Sequence, residues 1–366
     1  MTTTEAAVIE SGGKPFTLSE VTLDAPRADE VLVSMVAAGL CHTDLGVASG
    51  GLPFPLPGVL GHEGAGIVEE VGSAVTRVKP GDKVLLSFTS CGSCRNCRDG
   101  HPAYCDTWLP ANLIGGARAD GSSTITRGEE SLGGHFFGQS SFSRKALVDE
   151  RSLVRVADDA PLELLAPLGC GIQTGAGAVW NVLAPRPGDS VVVLGAGAVG
   201  LSAVMAAALT PAGIIVAVDK VASRLELARE LGATHTIDVT QTEHLVAAIT
   251  ALTGGANGVV ETTGSAAVLR QGVDSLAARG TAVIVGAPPF GTEVSLDVNG
   301  MIPGKTVVGL TLGDSETQTL IPALVELVTS GRMPIGKLLR EYDFADIQDA
   351  VGDVASGATI KPVLRF

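Results

Sequence analysis

Aromatic side chains are few in this sequence, 4% of 366 residues, and charged ones reach only 17%. No basic stripe is present: 39 acidic residues stand against 25 lysines and arginines. The formal charge of −14 favours solubility over loose binding to nucleic acid or anionic lipid. Residues 1–10 lack a basic segment followed by an apolar core, so no secretory signal is expected and the cytoplasm is the expected location. No stretch suits a membrane span either. The longest apolar run, 191–209, is dense in Gly and Ala and reads as strand, glycine turn and helix. Internal repeats and low-complexity tracts are also missing. With 45% hydrophobic residues and 47 glycines, the composition is that of a soluble, packed α/β enzyme, not a disordered or fibrous chain. The length suits two domains, each able to bury its own core.

The organisation changes along the chain. Residues 1 to about 150 alternate short Val-rich runs (30–36, 66–71, 83–87) with Gly and Pro turns, the pattern of a β-rich unit. From about residue 162 the order becomes strand, helix, strand: 190–194, 199–209, 214–219, 223–231, 236–238, 244–252, 258–261, 266–276 and 281–285. That alternation predicts a parallel sheet wrapped by helices. A helical stretch over 317–329 and a closing segment over 361–366 follow.

The six cysteines are unevenly spread. Four fall in one run, Cys91, Cys94, Cys97 and Cys105, a spacing that closes four thiolates around one tetrahedral metal ion. A disulfide framework is the alternative, but a large chain with CxxC spacing and no export signal more often holds metal. This lobe, about 88–110, has little apolar content, so a metal would supply its local folding energy. The remaining two cysteines lie far apart, in Cys41-His42-Thr43-Asp44 and in Leu168-Gly169-Cys170-Gly171, and His62 stands in GHExxG at 61–66. One histidine and two cysteines in separate turns suggest three protein ligands with an open fourth position, the form a catalytic zinc takes. Sulfur and imidazole select zinc over magnesium or calcium. Two zinc ions per chain are expected.

An apolar strand, Val191-Val192-Val193-Leu194, runs directly into Gly195-Ala196-Gly197-Ala198-Val199-Gly200 and an Ala-rich helix, which is GxGxxG in its required context. Gly195 permits the tight turn, Gly197 lets the backbone approach a pyrophosphate, and Gly200 allows close strand–helix packing. A second strand ends at Asp219, 19 residues beyond Gly200, where a carboxylate accepts hydrogen bonds from the adenosine ribose hydroxyls. Its charge favours NAD over NADP. A mere cap on the following turn is the other reading of Asp219.

Together these motifs resemble those of the zinc-dependent medium-chain alcohol dehydrogenases, over essentially the whole chain. Within that family the sequence is most similar to bacterial aryl-alcohol (benzyl-alcohol) dehydrogenases, through Cys41-His42-Thr43-Asp44 and the stretch 134–142. The resemblance implies an α/β fold with a GroES-like β-rich catalytic domain, 1–171 and 312–366, and a Rossmann doubly wound parallel-sheet NAD domain, 172–311. It implies Cys41, His62 and Cys170 as catalytic zinc ligands and Cys91, Cys94, Cys97 and Cys105 as structural ones. Glu63 would lie behind the catalytic metal, Asp44 would orient His62, and the Thr43 hydroxyl would take the alcohol proton. Val199 and Thr174 would lie at the nicotinamide, His42 and Lys361 at the pyrophosphate, and Arg224 at the adenosine ribose. Phe88, Trp108, Leu109 and Leu312 would wall an apolar substrate cleft between the domains. Each of these four is equally readable as ordinary core. The small-molecule partners are an alcohol and its aldehyde, and a homodimer or homotetramer is expected.

The implied reaction is reversible hydride transfer between a primary, aromatic or allylic alcohol and NAD, with zinc acidifying the alcohol. A thiol-adduct formaldehyde dehydrogenase of the same superfamily would need a basic cluster in the cleft, which the sequence does not show. A nonenzymatic NAD-binding structural or sensor protein is disfavoured by Cys41, His62, Glu63 and Cys170. One departure stands out: the histidine that relays the proton in many relatives falls on Gly46, so either His42 or a water chain replaces it. The pH dependence of hydride transfer in His42→Ala decides between them. Loss of rate at low pH assigns the relay to His42, and an unchanged profile assigns it to water.

Overall fold

The computed structural model describes all 366 residues, Met1–Phe366. The chain divides into two compact units, Gly171–Ser315, and Met1–Cys170 with Glu316–Phe366.

In Gly171–Ser315, six strands, β1 (Ser190–Leu194), β2 (Ile214–Asp219), β3 (His235–Asp238), β4 (Ala256–Glu261), β5 (Leu276–Ile284) and β6 (Thr306–Gly309), alternate with helices. The helices are α1 (Ala198–Ala208), α2 (Ala222–Glu230), α3 (Leu245–Thr253) and α4 (Ala266–Asp274). All strand pairings are parallel, in the order β3-β2-β1-β4-β5-β6. This is the doubly wound arrangement expected from the strand–helix alternation. The order reverses at β1, so the crevice outside the carboxyl ends of β1 and β4 is where a nucleotide binds in such sheets. β1 is buried along its whole length, which is why it reads as an unbroken apolar run. α1 is buried almost all round, so its small Ala and Gly residues let it lie close against the sheet.

Two expected elements differ, the helix read over 266–276 and the strand read over 281–285, which begins at Leu276. The helix foreseen over 266–276 stops at Asp274, where the Ser275 hydroxyl donates to the Gly272 carbonyl, and Leu276 opens β5 instead. Leu276 pairs with Ala256 and enters the apolar core; a longer helix would pull it off the sheet.

The other unit carries two sheets. The five-stranded one runs Gly58–Val59, Thr2–Ile9, Thr17–Leu23, Ile125–Arg127, Glu130–Leu132. The seven-stranded one runs Leu153–Arg155, Lys83–Leu86, Gly64–Val71, Glu30–Gly39, Lys361–Arg365, Leu339–Asp343, with Lys145–Asp149 also paired to Glu30–Gly39. Glu30–Gly39 is the central strand, and Val31, Val33, Val68, Val84, Leu86 and Val148 pack into one core around it. Its end pairs antiparallel with the C-terminal strand, Val363 opposite Gly39 and Leu364 opposite Ala38. That register carries Lys361 to the segment beginning at Leu40, from the far end of the sequence. No helix of the protein is long and apolar enough to cross a membrane.

The central strand opens on a buried ion cluster. Arg118 reaches Glu30 through Nε at 2.5 Å and Nη2 at 2.9 Å, and Asp24 through Nη1 at 2.9 Å. Arg118→Ala leaves the Glu30 carboxylate buried without its partner, and the expected loss of stability is about 3–5 kcal/mol. Equilibrium denaturation measures it; an unchanged transition would show that water reaches Glu30 freely.

Candidate metal centre and cofactor loop

Cys41 caps the short helix His42–Ala48, and Asp44, in its first turn, is fully buried. The Asp44 carboxylate accepts the Cys41 backbone N–H at 2.9 Å, the Gly61 N–H at 3.1 Å and His62 Nδ1 at 2.9 Å. A carboxylate at this helix position is favoured by the backbone donors it satisfies. The third donor makes the local cap part of the site. With Nδ1–H given to Asp44, the imidazole presents Nε2 to the pocket. Cys170 arrives from a third segment, fixed where the Ser87 hydroxyl donates to the Gly169 carbonyl at 2.7 Å.

These turns gather Cys41, His62, Glu63 and Cys170, whose ligand atoms all lie within 4.8 Å of one another. The hydrogen bond between the two thiols lowers the pKa of Cys41 well below its ordinary value and raises that of Cys170. Burial disfavours charge on His62, but the charge and hydrogen bond of Asp44, with Cys41 beside it, outweigh this and lift its pKa to about 10. Burial pushes Glu63 up to about 7 against the pull of Lys361. The Lys361 ammonium is buried, bonded to the Glu63 carboxylate, and donates to the Leu40 carbonyl at 3.3 Å. Gly39 makes room for this pair, since a Cβ there would stand 2.0 Å from Glu63 Oε2.

His62 Nε2 is buried and has no hydrogen-bond partner. A buried polar nitrogen without a partner is costly whether or not it carries a proton. Two sulfurs and an imidazole nitrogen around one point form the donor set zinc prefers, and a cation there displaces the protons the site now holds. The residues present therefore fit a zinc ion.

The second cluster fits one as well. Cys91, Cys94, Cys97 and Cys105 form no disulfide. Their sulfurs stand 3.4 Å (Cys94–Cys97), 4.0 Å (Cys91–Cys97) and 4.0 Å (Cys94–Cys105) apart. Four sulfurs at about 2.3 Å from a tetrahedral centre are about 3.8 Å from each other. Backbone N–H groups of Ser93 and Cys94 point at Cys91 Sγ and bring its pKa down to about 6, while burial and Cys94 push Cys97 up to about 12.

The glycine loop is tight. Gly195 has φ 97°, and a Cβ on Gly200 would lie 1.8 Å from the Gly195 carbonyl oxygen. A Cβ on Gly197 would meet nothing within 4 Å, so the backbone there faces open space, as a cradle for pyrophosphate requires. The Asp219 carboxylate accepts the N–H groups of Lys220 at 2.7 Å, Val221 at 2.9 Å and Ala196 at 2.6 Å. It therefore caps its own turn and also ties that turn to the loop, leaving one of its roughly four acceptor positions for a ligand. Val199 lies in the first turn of α1, half-buried, and Thr174 is buried in the helix Gly171–Gly177. Arg224, in α2, has a buried Nε with no hydrogen-bond partner.

His42 is exposed at the start of its helix, and the Thr43 hydroxyl lies 3.9 Å from Cys41 Sγ. Lys361, for which the resemblance implies a pyrophosphate contact, holds its ammonium on Glu63 and Leu40. Of the expected pocket residues, Phe88 and Leu312 are buried, Trp108 is half-buried and Leu109 is 38% exposed. A Cβ on Gly46 would meet Leu52 Cδ1 at 2.9 Å, so a side chain at that position would displace the Leu52 side chain.

Sequence reasoning missed three neighbours of the first cluster. Phe137 stacks on the His62 ring at 4.5 Å and Phe136 meets its edge at 5.4 Å. The buried Gln139 amide donates to the His62 carbonyl at 3.0 Å and the Ser87 carbonyl at 2.7 Å, and accepts from Gly64 N–H at 3.1 Å. The stretch 134–142, which holds all three, carries part of the family resemblance, but nothing in its sequence shows that it folds against His62.

Asp44→Asn keeps the shape but replaces the anion that orients His62. Metal affinity at the Cys41–His62–Cys170 cluster is expected to fall roughly 10–100-fold, with the four-cysteine cluster unaffected. Competition with a chromophoric chelator measures both; wild-type release at both clusters would contradict the role given to Asp44.

Comparison with known proteins places the chain. A family model for the alcohol dehydrogenase GroES-like domain matches residues 27–158, and one for zinc-binding dehydrogenase matches residues 198–329. Geraniol dehydrogenase of Castellaniella defragrans is 43% identical over 364 residues, covering 99% of this chain and 97% of that one. The crystal structure of benzyl alcohol dehydrogenase from Acinetobacter calcoaceticus is 45% identical, with a TM-score of 0.96 and complete coverage of both chains. An alcohol dehydrogenase zinc-binding domain protein from Burkholderia ambifaria is 50% identical, with a TM-score of 0.97 over 100% of this chain and 99% of that one. The clustered donors, the glycine loop and these likenesses agree: the chain belongs to the zinc-dependent medium-chain alcohol dehydrogenase family.

Proposed function

We propose that this protein is an NAD-dependent alcohol dehydrogenase that interconverts a primary aromatic or allylic alcohol and its aldehyde, with two zinc ions per chain. The observation that carries the chemistry is the buried Nε2 of His62, without a partner and beside two thiols in one pocket. Zinc at this position supplies Lewis acidity, lowering the pKa of an alcohol oxygen, and NAD supplies the hydride acceptor.

The chain's own residues do the rest. Cys41, His62 and Cys170 hold the metal, and Asp44 keeps the imidazole in the tautomer that can do so. The Thr43 hydroxyl, beside Cys41 Sγ, takes the alcohol proton. With a glycine at position 46, that proton leaves through the exposed His42 or through water. Lys361 neutralises Glu63, so the carboxylate near the metal does not bind it permanently. Asp219 accepts from a ribose hydroxyl and repels a 2′-phosphate. The four-cysteine cluster is a structural site, because all four positions around its metal are filled by protein.

The aromatic or allylic preference rests on two supports. Relatives named for geraniol and for benzyl alcohol lie at 43% and 45% identity. Around His62 the walls are rings, Phe136, Phe137 and, against Phe137, Trp108.

Steady-state kcat/KM for benzyl, cinnamyl, allylic and short aliphatic alcohols, with NAD and with NADP, tests the reading. Benzyl or allylic alcohols should exceed ethanol, and NAD should exceed NADP until Asp219→Gly narrows the ratio. Ethanol as the best substrate, or a cofactor ratio indifferent to Asp219→Gly, would contradict it.

A further inference from the structure

The four-cysteine lobe and the Cys41–His62–Cys170 cluster share no ligand, yet a continuous stack of rings joins them. Cys105, the last cysteine of the lobe, accepts the Trp108 backbone N–H on its carbonyl at 2.8 Å. Asn112, buried, fixes the same segment: its amide donates to the Trp108 carbonyl at 2.9 Å and the Thr89 carbonyl at 3.0 Å, and accepts from Thr89 N–H at 2.8 Å. The indole then meets Phe137 edge-on, with centroids 5.6 Å apart and planes at 86°. Phe137 lies nearly flat on the His62 imidazole, at 4.5 Å and 27°.

Two further features mark the stack as built. Phe137 has φ 52°, a left-handed conformation that a bulky residue adopts only when its surroundings impose it. Trp108 Nε1 is buried without a hydrogen-bond partner, so the indole is placed there by its ring and not by its N–H. Asp44 fixes one ring nitrogen of His62, and the Phe137 ring covers a face of the same imidazole, which a hydrogen bond at one atom does not constrain.

We propose that Trp108 and Phe137, a stack that begins beside the four-cysteine lobe, are positioning residues for His62 and set the geometry of the Cys41–His62–Cys170 metal site. This rests on the metal-binding part of the reading above and not on the substrate or cofactor assigned there.

The test uses holoenzyme with zinc in the lobe and cobalt at the Cys41–His62–Cys170 site, without substrate or cofactor. The cobalt visible spectrum reads ligand geometry, and transfer of cobalt to a chelator reads retention. Trp108→Ala should shift the d–d bands and speed cobalt loss by roughly tenfold, the low end of what outer partners of a metal-bound histidine contribute. Trp108→Phe, which keeps a ring and discards only the unpartnered N–H, should restore both. A Trp108→Ala protein that keeps its lobe zinc and shows the wild-type spectrum and release rate overturns the proposal. Should Trp108→Ala lose the lobe zinc or fail to fold, Phe137→Leu, which leaves the lobe intact, decides: a shifted spectrum supports the stack, and a wild-type one overturns it. If cobalt never binds at wild-type Cys41, His62 and Cys170, it is the metal assignment that fails.

Discussion

A buried carboxylate needs donors, and Asp44 has three, from Cys41, Gly61 and His62. Leaving such a group unpaired costs several kcal/mol. Three separate requirements are therefore met at one side chain: the helix His42–Ala48 begins at Cys41, the chain turns at Gly61, and the imidazole of His62 points one nitrogen inward. Without Asp44 the two cysteines and the histidine would still be present, but the one side chain that joins Cys41, Gly61 and His62 would be gone. The sheet sets the distance between these segments, and the carboxylate sets their angles.

The charges in the pocket are balanced in pairs. Lys361 faces Glu63, and Asp44 faces His62. What remains for an incoming cation is the sulfur of Cys41 and Cys170 and one imidazole lone pair, a softer set than the carboxylates alone would offer. Lys361 keeps the hard oxygen donor Glu63 paired with an ammonium.

Much of this was readable from the chain, and the reason is locality. The strand–helix alternation of 190–285 shows because buried parallel strands are apolar runs separated by helices. The four-cysteine lobe shows because its donors fall within 15 residues, from Cys91 to Cys105, so spacing alone specifies closure. The glycine loop shows because the turn at Gly195 and the packing at Gly200 exclude a Cβ at a fixed offset. Other contacts depend on what the sheet brings together. Lys361 meets Glu63 through the pairing of Val363 with Gly39, a register that no local pattern carries. Gln139 and Phe137 act from a loop in which Phe137, Gly138 and Ser140 are all left-handed, and of these only Gly138 is of a type that advertises such a conformation. α4 ends two residues before the apolar pattern does, because Leu276 fits an apolar helix face as well as it fits β5, and only its pairing with Ala256 decides.

The central claim is that the protein has two different metal sites, one of four sulfurs and one built on His62. Zinc content together with zinc-edge X-ray absorption tests it on the purified protein. The account predicts about two zinc ions per chain, with six sulfurs and one imidazole nitrogen shared between them, and the loss of one zinc and of the imidazole signal in His62→Ala. A single zinc with sulfur ligands only, unchanged in His62→Ala, would contradict it.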